Sequence, residues 1–547
     1  MGKDVYFNLI HDKWLPVRRR SGKRERIRPA QIVDQSESDP VVSFEWSRPD
    51  FQVACYEFMI GLLATAFPPA TVDEWKKLWR TPPTVGKLDE TFSRLDEAFY
   101  LNRPEKRFLQ DFSELESSIE LVERLLIDAP GDSTVKKNTD LFIHRGRIRA
   151  MSLPDAAMAL YTLQSWAPSG GAGNMTGIRG GGPMVTLVLP RRPDPQDSEK
   201  TLPPTLWDTL WANTPCGKVV TEQDMPKVFP WMAPTIISGK KGRKIDPKDK
   251  AVDLRQCWWG MPRRIRLCFG TDEKGEILVT GWKQRPYGPD YTGWIGEPLD
   301  VKSGVVVHPL TPRYRAKATS EWLSLHPQPG GVHYKHWAGI VAEVENRLPA
   351  SNVANWRNKR ASCTGLNNEQ SKNVRLLTAG YDMDNMKVRN FLESEMPLPG
   401  DGEPELQRLR DEWARHAIEG AAMVQSVLKQ VIKNAMPNKR DASYDTTFYT
   451  TIDQKFTERT ENKFFELILK KEDGVILSRE WLKSIRGAAL DIFSEITSLT
   501  SGTKLTKAGK IVAAKRRLRA VLGSENLAKI LGLPFEIIRE RKIKNAR

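Results

Sequence analysis

The sequence predicts an α+β protein, with a large mixed N-terminal domain over residues 1–399 and a C-terminal four-helix bundle over residues 400–547. Three observations predict it. At 547 residues the chain is too long for one hydrophobic core and should divide into domains. Up to about Pro399, short apolar runs of strand and helix length alternate with Pro- and Gly-containing connections. Beyond Gly400 the pattern changes to long amphipathic stretches joined by short turns, the pattern of a helical bundle.

The elements follow in order. Phe7–Val17 reads as a strand and turn, and Arg18–Arg28 as a basic hairpin-like stretch. Asp50–Phe67 places Phe51, Cys55, Phe58, Leu62 and Ala66 at helical spacing, and Pro68-Pro69 ends that helix. Val72–Trp79, Leu88–Tyr100 and Leu115–Ile127 read as shorter helices, and Asp155–Trp166 as another. Met184–Leu189, Ile265–Phe269 and Ile277–Trp282 have strand length and composition. Arg191–Pro204 is an expected linker, Gly239–Lys250 an exposed basic loop, and Gly281–Tyr334 aromatic-rich β or irregular structure. The bundle helices are expected at Asp401–Met436, Tyr444–Lys471, Ser478–Ser498 and Lys504–Leu522, followed by a short amphipathic tail. No internal repeat marks a solenoid.

Charge narrows the partners. The chain carries 84 Lys+Arg against 68 Asp+Glu, a net +16, which favours a polyanionic partner or an anionic surface. The last 47 residues hold 13 Lys/Arg and 3 acidic residues, with Lys515–Arg519 on about one helical turn. That cluster reads equally as a solvated helix face or as a contact to a phosphate backbone. Residues 1–15 lack the apolar segment of a signal peptide, and the run Ile60–Phe67 is far short of the ~20 residues a bilayer span needs. Five scattered cysteines, none in a C-x-x-C pair, point to a reducing, cytoplasmic setting and away from a zinc ribbon.

The densest local signal is A-P-S-G-G-A-G-N-M-T-G-I-R-G-G-G-P over residues 167–183, in which Arg179 is the only charge. Glycine admits positive φ and lets another molecule approach the backbone N–H groups. The stretch suits contact with a phosphate or with a nucleic-acid groove. It is not a P-loop, because no lysine is placed for a phosphate and no hydroxyl for magnesium. Nor is it a dinucleotide fingerprint, since a strand follows where a helix is required. Catalytic constellations are missing elsewhere. His333 and His336 have an i, i+3 spacing without a carboxylate at a recognisable distance, and read as surface histidines. No H-E-x-x-H or G-x-S-x-G occurs, so neither metal nor nucleophilic chemistry is indicated, and no cofactor is expected.

Several segments recur together in one order: Phe7-Asn-Leu-Ile-His-Asp-Lys-Trp-Leu-Pro-Val17, Phe99-Tyr-Leu-Asn102 with Phe108-Leu-Gln110, G-I-R-G-G-G-P, and the helical C-terminus. Over nearly its whole length the chain resembles the large subunit (CasA) of the type I-E CRISPR surveillance complex, Cascade. The resemblance implies a subunit that is no enzyme. It would read the protospacer-adjacent motif (PAM) in duplex DNA, help open the duplex for the guide RNA, and serve as platform for a helicase-nuclease.

Site residues follow from the resemblance. The family's minor-groove loop matches Ser169, Gly170, Gly171 and Ala172, where small residues suit a groove only ~6 Å wide. Ser169 and Ala172 stand where relatives carry glycine, so the accepted bases are open. A basic residue entering the same groove corresponds to Arg285, with Lys283 as the alternative. The wedge beneath the PAM follows a Gly-Tyr pair, here Gly380-Tyr381, which puts its tip at Asp384, Asn385 and Met386. Asn385 replaces a common glutamine, and Met386 supplies an apolar wedge for unstacking a base step. Without the resemblance, D-M-D-N reads as an ordinary turn. Asn138–Leu153 matches a loop that tucks in near the guide's 5′ end, ordering on binding, with Phe142 as anchor and His144, Arg145 and Arg147 near the RNA handle.

The implied partners are the guide crRNA with the Cascade backbone, the small and handle-binding subunits, double-stranded target DNA and a recruited helicase-nuclease; no membrane is expected. The bundle would meet the small subunit and the displaced strand. Some relatives carry cysteine pairs that suggest a metal. Cys257 and Cys268 are too far apart to form one, so no zinc is expected. Two other classes stay open on sequence: a nucleic-acid-processing enzyme or nuclease accessory, and a purely structural RNA-packaging subunit.

Overall fold

The structure is a computed structural model that describes residues 6–35, 38–131, 135–137, 146–171, 173–294, 308–384, 387–400, 403–435, 442–498 and 505–534. The chain is mixed α and β with a helical C-terminal region, as its patterning predicts. It forms two compact units, Met1–Gly331 with Glu343–Gly400, and Val332–Ala342 with Asp401–Arg547.

The first unit is built around helix α1, Pro49–Ala66, of which sixteen of eighteen residues are buried. Such a helix has no solvent face, which is why its apolar residues fill every side instead of forming a stripe. Proline at its first position costs no hydrogen bond there, and Pro68-Pro69 prevents its continuation. Phe58 at its centre meets Trp14, Phe99, Phe108, Tyr161 and Trp259 edge to face, with ring centroids 5.4–6.1 Å away. Edge-to-face pairs add about 0.5–1.5 kcal/mol each beyond burial, so one side chain gathers five distant segments. One turn on, Gly61 admits Trp258, whose Cβ would lie 3.1 Å from a Cβ added there.

Among the described residues the first unit carries five small sheets, three of which bear on the site. Strands β1 (Leu15–Arg19), β2 (Arg24–Ile27) and β3 (Val41–Phe44) pair antiparallel in the order β2-β1-β3, so the basic stretch is a hairpin. Helix α2, Leu153–Trp166, is capped by Ser152, whose side chain accepts from the Asp155 N–H. Strand β4 (Val185–Leu189) follows it. Strands β5 (Arg264–Thr271) and β6 (Ile277–Arg285) pair antiparallel. Strands β7 (Arg375–Asp384) and β8 (Lys387–Pro397) form a long hairpin with β4 on the far side of β7.

Two expected helices differ. Leu88–Tyr100 is helical only within Val85–Ser93, followed by a 3₁₀ turn at Asp96–Ala98. Leu115–Ile127 is no helix: Glu120–Leu121 pairs with Gly281 and Trp282 on the edge of β6, and a 3₁₀ turn covers Val122–Leu125. Ile119 and Leu121 are 64% and 59% exposed. Leu115, Ile119 and Val122 recur at helical spacing, but the open backbone edge of β6 pairs with the segment instead.

In the second unit, helices α3 (Pro404–Ala435), α4 (Ala442–Ile468), α5 (Gly474–Ser498) and α6 (Leu505–Leu522) correspond to the four expected, with a short α7 at Glu525–Ile530. Trp413, Ala417, Val424, Leu428 and Val431 of α3 are buried, whereas Leu409 is 49% exposed. Gly420 lies under Leu531: a Cβ there would lie 2.4 Å from Leu531 Cδ2, so that side chain would have to shift. Val332–Ala342 joins these helices although it lies far upstream. Tyr334 packs at 4.9 Å from Phe464 and 5.5 Å from Trp481, and shares a 3.1 Å hydrogen bond with Thr460. A carboxylate does reach His333, with Glu461 Oε1 at 3.3 Å from Nδ1. Among the described residues no helix is long and apolar enough to cross a membrane.

Phe58→Ala is expected to destabilise the first unit by about 3–5 kcal/mol, read as a lowered urea midpoint in near-ultraviolet circular dichroism. A loss below ~1 kcal/mol would contradict the central role of this ring.

Candidate nucleic-acid interface

The glycine-rich stretch divides into a buried stalk and an open tip. The stalk, residues 177–183, folds back beneath the C-terminus of α2: the Gly177 N–H donates to Ala167 O at 3.4 Å, and the Gly182 N–H to Trp166 O at 2.7 Å. A Cβ at Gly177 would lie 2.4 Å from Ser165 O, and one at Gly181 2.5 Å from Pro168 Cα. Glycine is therefore a steric requirement here. The stalk's single charge points inward. Arg179 forms a buried ion pair with Glu57 of α1 and donates to Thr311 Oγ1 at 3.1 Å. Glu57 also accepts from Trp166 Nε1 at 3.1 Å and from the Tyr161 hydroxyl at 3.4 Å.

The tip is different. Gly171 is exposed, with φ +66°, and a Cβ there would meet nothing within 4 Å; at Gly170 it would meet only Asn174 Nδ2, at 3.9 Å. Ser169 is half-buried, and Ala172 lies outside the described residues. Packing does not demand glycine at 170 and 171, so an approach from outside is open.

The returning limb is fastened to the end of β6. The Tyr287 N–H donates to Gly173 O at 2.7 Å, Gln284 Nε2 donates to Asn174 Oδ1, and a Cβ at Gly173 would lie 2.6 Å from Pro286 Cβ. Gln284 and Asn174 were not anticipated from sequence, although strand alternation signals that a residue between Lys283 and Arg285 faces the other way. Lys283 and Arg285 thus share the face of β6 opposite Gln284, across from Arg266 and Arg264 of β5. Arg285 is exposed and Lys283 half-buried. Arg264 pairs with Asp111 at 2.6 Å, and Arg266 pairs with Glu114. Burial pushes the Glu114 carboxyl up, but Arg266, with Arg107 and Lys283, holds it below its ordinary value. Burial and the Arg266 charge lower the Arg107 pKa. Cations outnumber carboxylates on this face, the electrostatic condition for holding a polyanion.

Arg263, also unanticipated, reaches the other limb by donating to Pro168 O. Burial pushes its pKa down to about 10.

The β7–β8 hairpin packs on the stalk. A Cβ at Gly182, φ +62°, would lie 2.8 Å from Tyr381 O and 2.9 Å from Met383 Cε, so hairpin and stalk meet backbone to backbone. Trp166 stacks on Phe391 at 6.0 Å, and Tyr381 meets Phe391 edge on at 5.0 Å. The pairing closes at Asp384 opposite Lys387. Arg389 braces that end, with Asp382 at 2.7 Å and Asp384 at 3.7 Å. Asn385 and Met386 lie outside the described residues. One loop thus joins β6 to the hairpin. Of the expected docking residues, Phe142, His144 and Arg145 lie outside the described residues; Arg147 is exposed, next to Gly146, whose N–H donates to Glu123 Oε1 at 3.2 Å.

Two histidines lie beneath the stalk. His326 Nδ1 donates to Gly182 O at 3.1 Å, and burial lowers its pKa despite that bond. His308 is fully buried beside Arg179, and burial, reinforced by that charge, holds its pKa well below 6.5.

The sequence profile of the CRISPR-associated protein Cse1 family matches residues 8–492. In fold, the chain is similar to CasA of Thermus thermophilus, with TM-score 0.68 and 19% identity over 95% of this chain and 100% of that one. It is similar to Cse1 from Acidimicrobium ferrooxidans, with TM-score 0.67 and 18% identity over 97% and 99%. A chain of a CRISPR RNA-guided surveillance complex matches with TM-score 0.67 and 14% identity over 95% and 100%.

Glu57→Leu, which leaves Arg179 charged and unpaired, is expected to cost about 3–5 kcal/mol in urea unfolding, and Glu57→Leu with Arg179→Met much less. On unfolding, His308 regains a pKa near 6.5, so the unfolded chain takes up a proton there that the folded chain refuses. Stability is then full above that pH and falls as the pH drops below it. His308→Gln should flatten the decline in melting temperature between about pH 6.5 and 5, leaving the part with the same sign due to His326.

Proposed function

The chain belongs to the CRISPR-associated protein Cse1 family, and from that premise we propose that it is the large, non-catalytic subunit of a type I-E CRISPR RNA-guided surveillance complex. In this reading it recognises the PAM from the minor groove of duplex DNA, starts strand separation and offers a platform to a helicase-nuclease. Its partners are the guide crRNA with its backbone, the small and handle-binding subunits, and the target duplex.

The observation that carries the reading is the contrast within one glycine stretch. The stalk is locked into the core through Arg179, while Gly170 and Gly171 stand clear of neighbours. A rigid base with a tip of minimal width is what a probe of a narrow groove needs, because main-chain groups must reach base edges unobstructed. Arg285 and Lys283, on the strand that holds the loop, would supply a cation for the negative potential of that groove. The hairpin packed on the same stalk would present Asp384, Asn385 and Met386 at the neighbouring base step, where an inserted side chain unstacks DNA for a few kcal/mol. Guide pairing then reads the remaining sequence. Phe142, His144, Arg145 and Arg147 are assigned to docking near the guide's 5′ end.

The test uses the assembled complex and duplexes with a panel of PAMs. Gly171→Asp puts a Cβ at a positive-φ position and a negative charge at the tip, and is expected to weaken binding of the preferred duplex at least ~10-fold and flatten discrimination among PAMs. Asn385→Ala should slow opening. Of Lys283→Ala and Arg285→Ala, the substitution at the groove-entering residue should lower the salt slope of binding by about one. Unchanged PAM discrimination in Gly171→Asp would sink the assignment and favour an RNA-packaging role. Sustained metal-dependent cutting by the isolated chain would favour the nuclease reading instead.

A further inference from the structure

Beneath the hairpin lies a hydrogen-bonded chain that the function above does not use. Asp50, at the first turn of α1, is buried, its side chain only 2% exposed. Its carboxylate accepts from the Tyr381 hydroxyl of β7 at 2.6 Å and takes Arg48 bidentately, from Nε at 3.0 Å and Nη2 at 2.9 Å. Arg48 Nη2 also donates to Asp128 Oδ1 at 2.9 Å. Asp128 is half-exposed and lies on the chain leading away from the Val122–Leu125 turn, whose Glu123 accepts from the Gly146 N–H. A run of hydrogen bonds therefore links the hairpin stem, through Asp50 and Arg48, to Asp128, a few residues beyond the Val122–Leu125 turn.

A buried carboxylate with two donors is sensitive to either. Shared between Asp50 and Asp128, the Arg48 guanidinium gives Asp50 more of its charge when Asp128 moves away and less when it closes in. The strength of the Tyr381 bond, and with it the position of the stem, then depends on where Asp128 sits. Burial, and then the Asp50 and Asp128 charges, raise the Tyr381 pKa, so the phenol stays a donor throughout the physiological range.

Resting on the function proposed above, we infer that Asp50 is a positioning residue through which the Asp128 limb, by way of Arg48, sets the hairpin for strand opening.

The experiment compares binding of the assembled complex to a target duplex and to the same target with unpaired bases beside the PAM. Tyr381→Phe keeps the ring against Phe391 and Trp166 and removes only the hydroxyl. It is expected to weaken duplex binding about 10-fold, since bonds to charged groups contribute most, and to leave the pre-opened target within about 2-fold. Asp128→Asn should shift the duplex-to-opened ratio in the same direction, and the double variant no further than the larger single effect. Equal losses on both targets, an unchanged ratio, or additive effects would overturn the inference. Asn385→Ala and Met386→Ala separate the two levels. If these tip variants leave the ratio unchanged, the opening role of the hairpin fails. If they shift it while Tyr381→Phe does not, only the positioning role falls.

Discussion

The ion pair between Glu57 and Arg179 is the constraint on which the candidate interface depends. Both side chains are almost wholly buried, so neither charge can be left alone without a large desolvation cost. Trp166, Tyr161 and Thr311 supply the further hydrogen bonds that make such a pair tolerable. The pair ties the centre of α1 to the middle of the glycine stretch. A loop that would otherwise be among the most adaptable parts of the chain has one position along its stalk.

That fixed stalk explains why the stretch holds two kinds of glycine. Gly177, Gly181 and Gly182 are forced by backbones approaching closer than a Cβ allows. Gly170 and Gly171 are not crowded by any neighbour, although the positive φ of Gly171 favours glycine, so the space around them is open to something arriving from outside. The stalk also orders its neighbours: β6 fastens one limb through Gln284 and Tyr287, and the hairpin lies on the other through Tyr381 and Met383. A site that must be placed to within an ångström needs such support, and here the core braces the stalk from behind the loop.

Much of this was legible in the residues. The uninterrupted apolar content of Asp50–Phe67, the stripes after Gly400 and the strand after the glycine stretch each carry a strong local period, and each forms the predicted element. Leu115–Ile127 misled because Leu115, Ile119 and Val122 recur at helical spacing, while Glu120–Leu121 pairs instead on the edge of β6, leaving Leu121 exposed. Val332–Ala342 joins the C-terminal helices through Tyr334, whose partners Thr460, Phe464 and Trp481 lie more than a hundred residues on. Gln284 is an ordinary residue on an ordinary strand, and only its hydrogen bond to Asn174 sets it apart.

By itself the sequence determined the fold class, the bundle, the glycine stretch with its lone arginine and the excess of positive charge, because composition and local periodicity encode these directly. It did not show which glycines are forced by packing and which are open, that Arg179 faces inward, or that Asp50 holds the hairpin through Tyr381. Those outcomes depend on pairings between residues separated by 122 and 331 positions. Only the closed packing around α1 brings such groups within hydrogen-bond distance, and burial there makes their pairing obligatory.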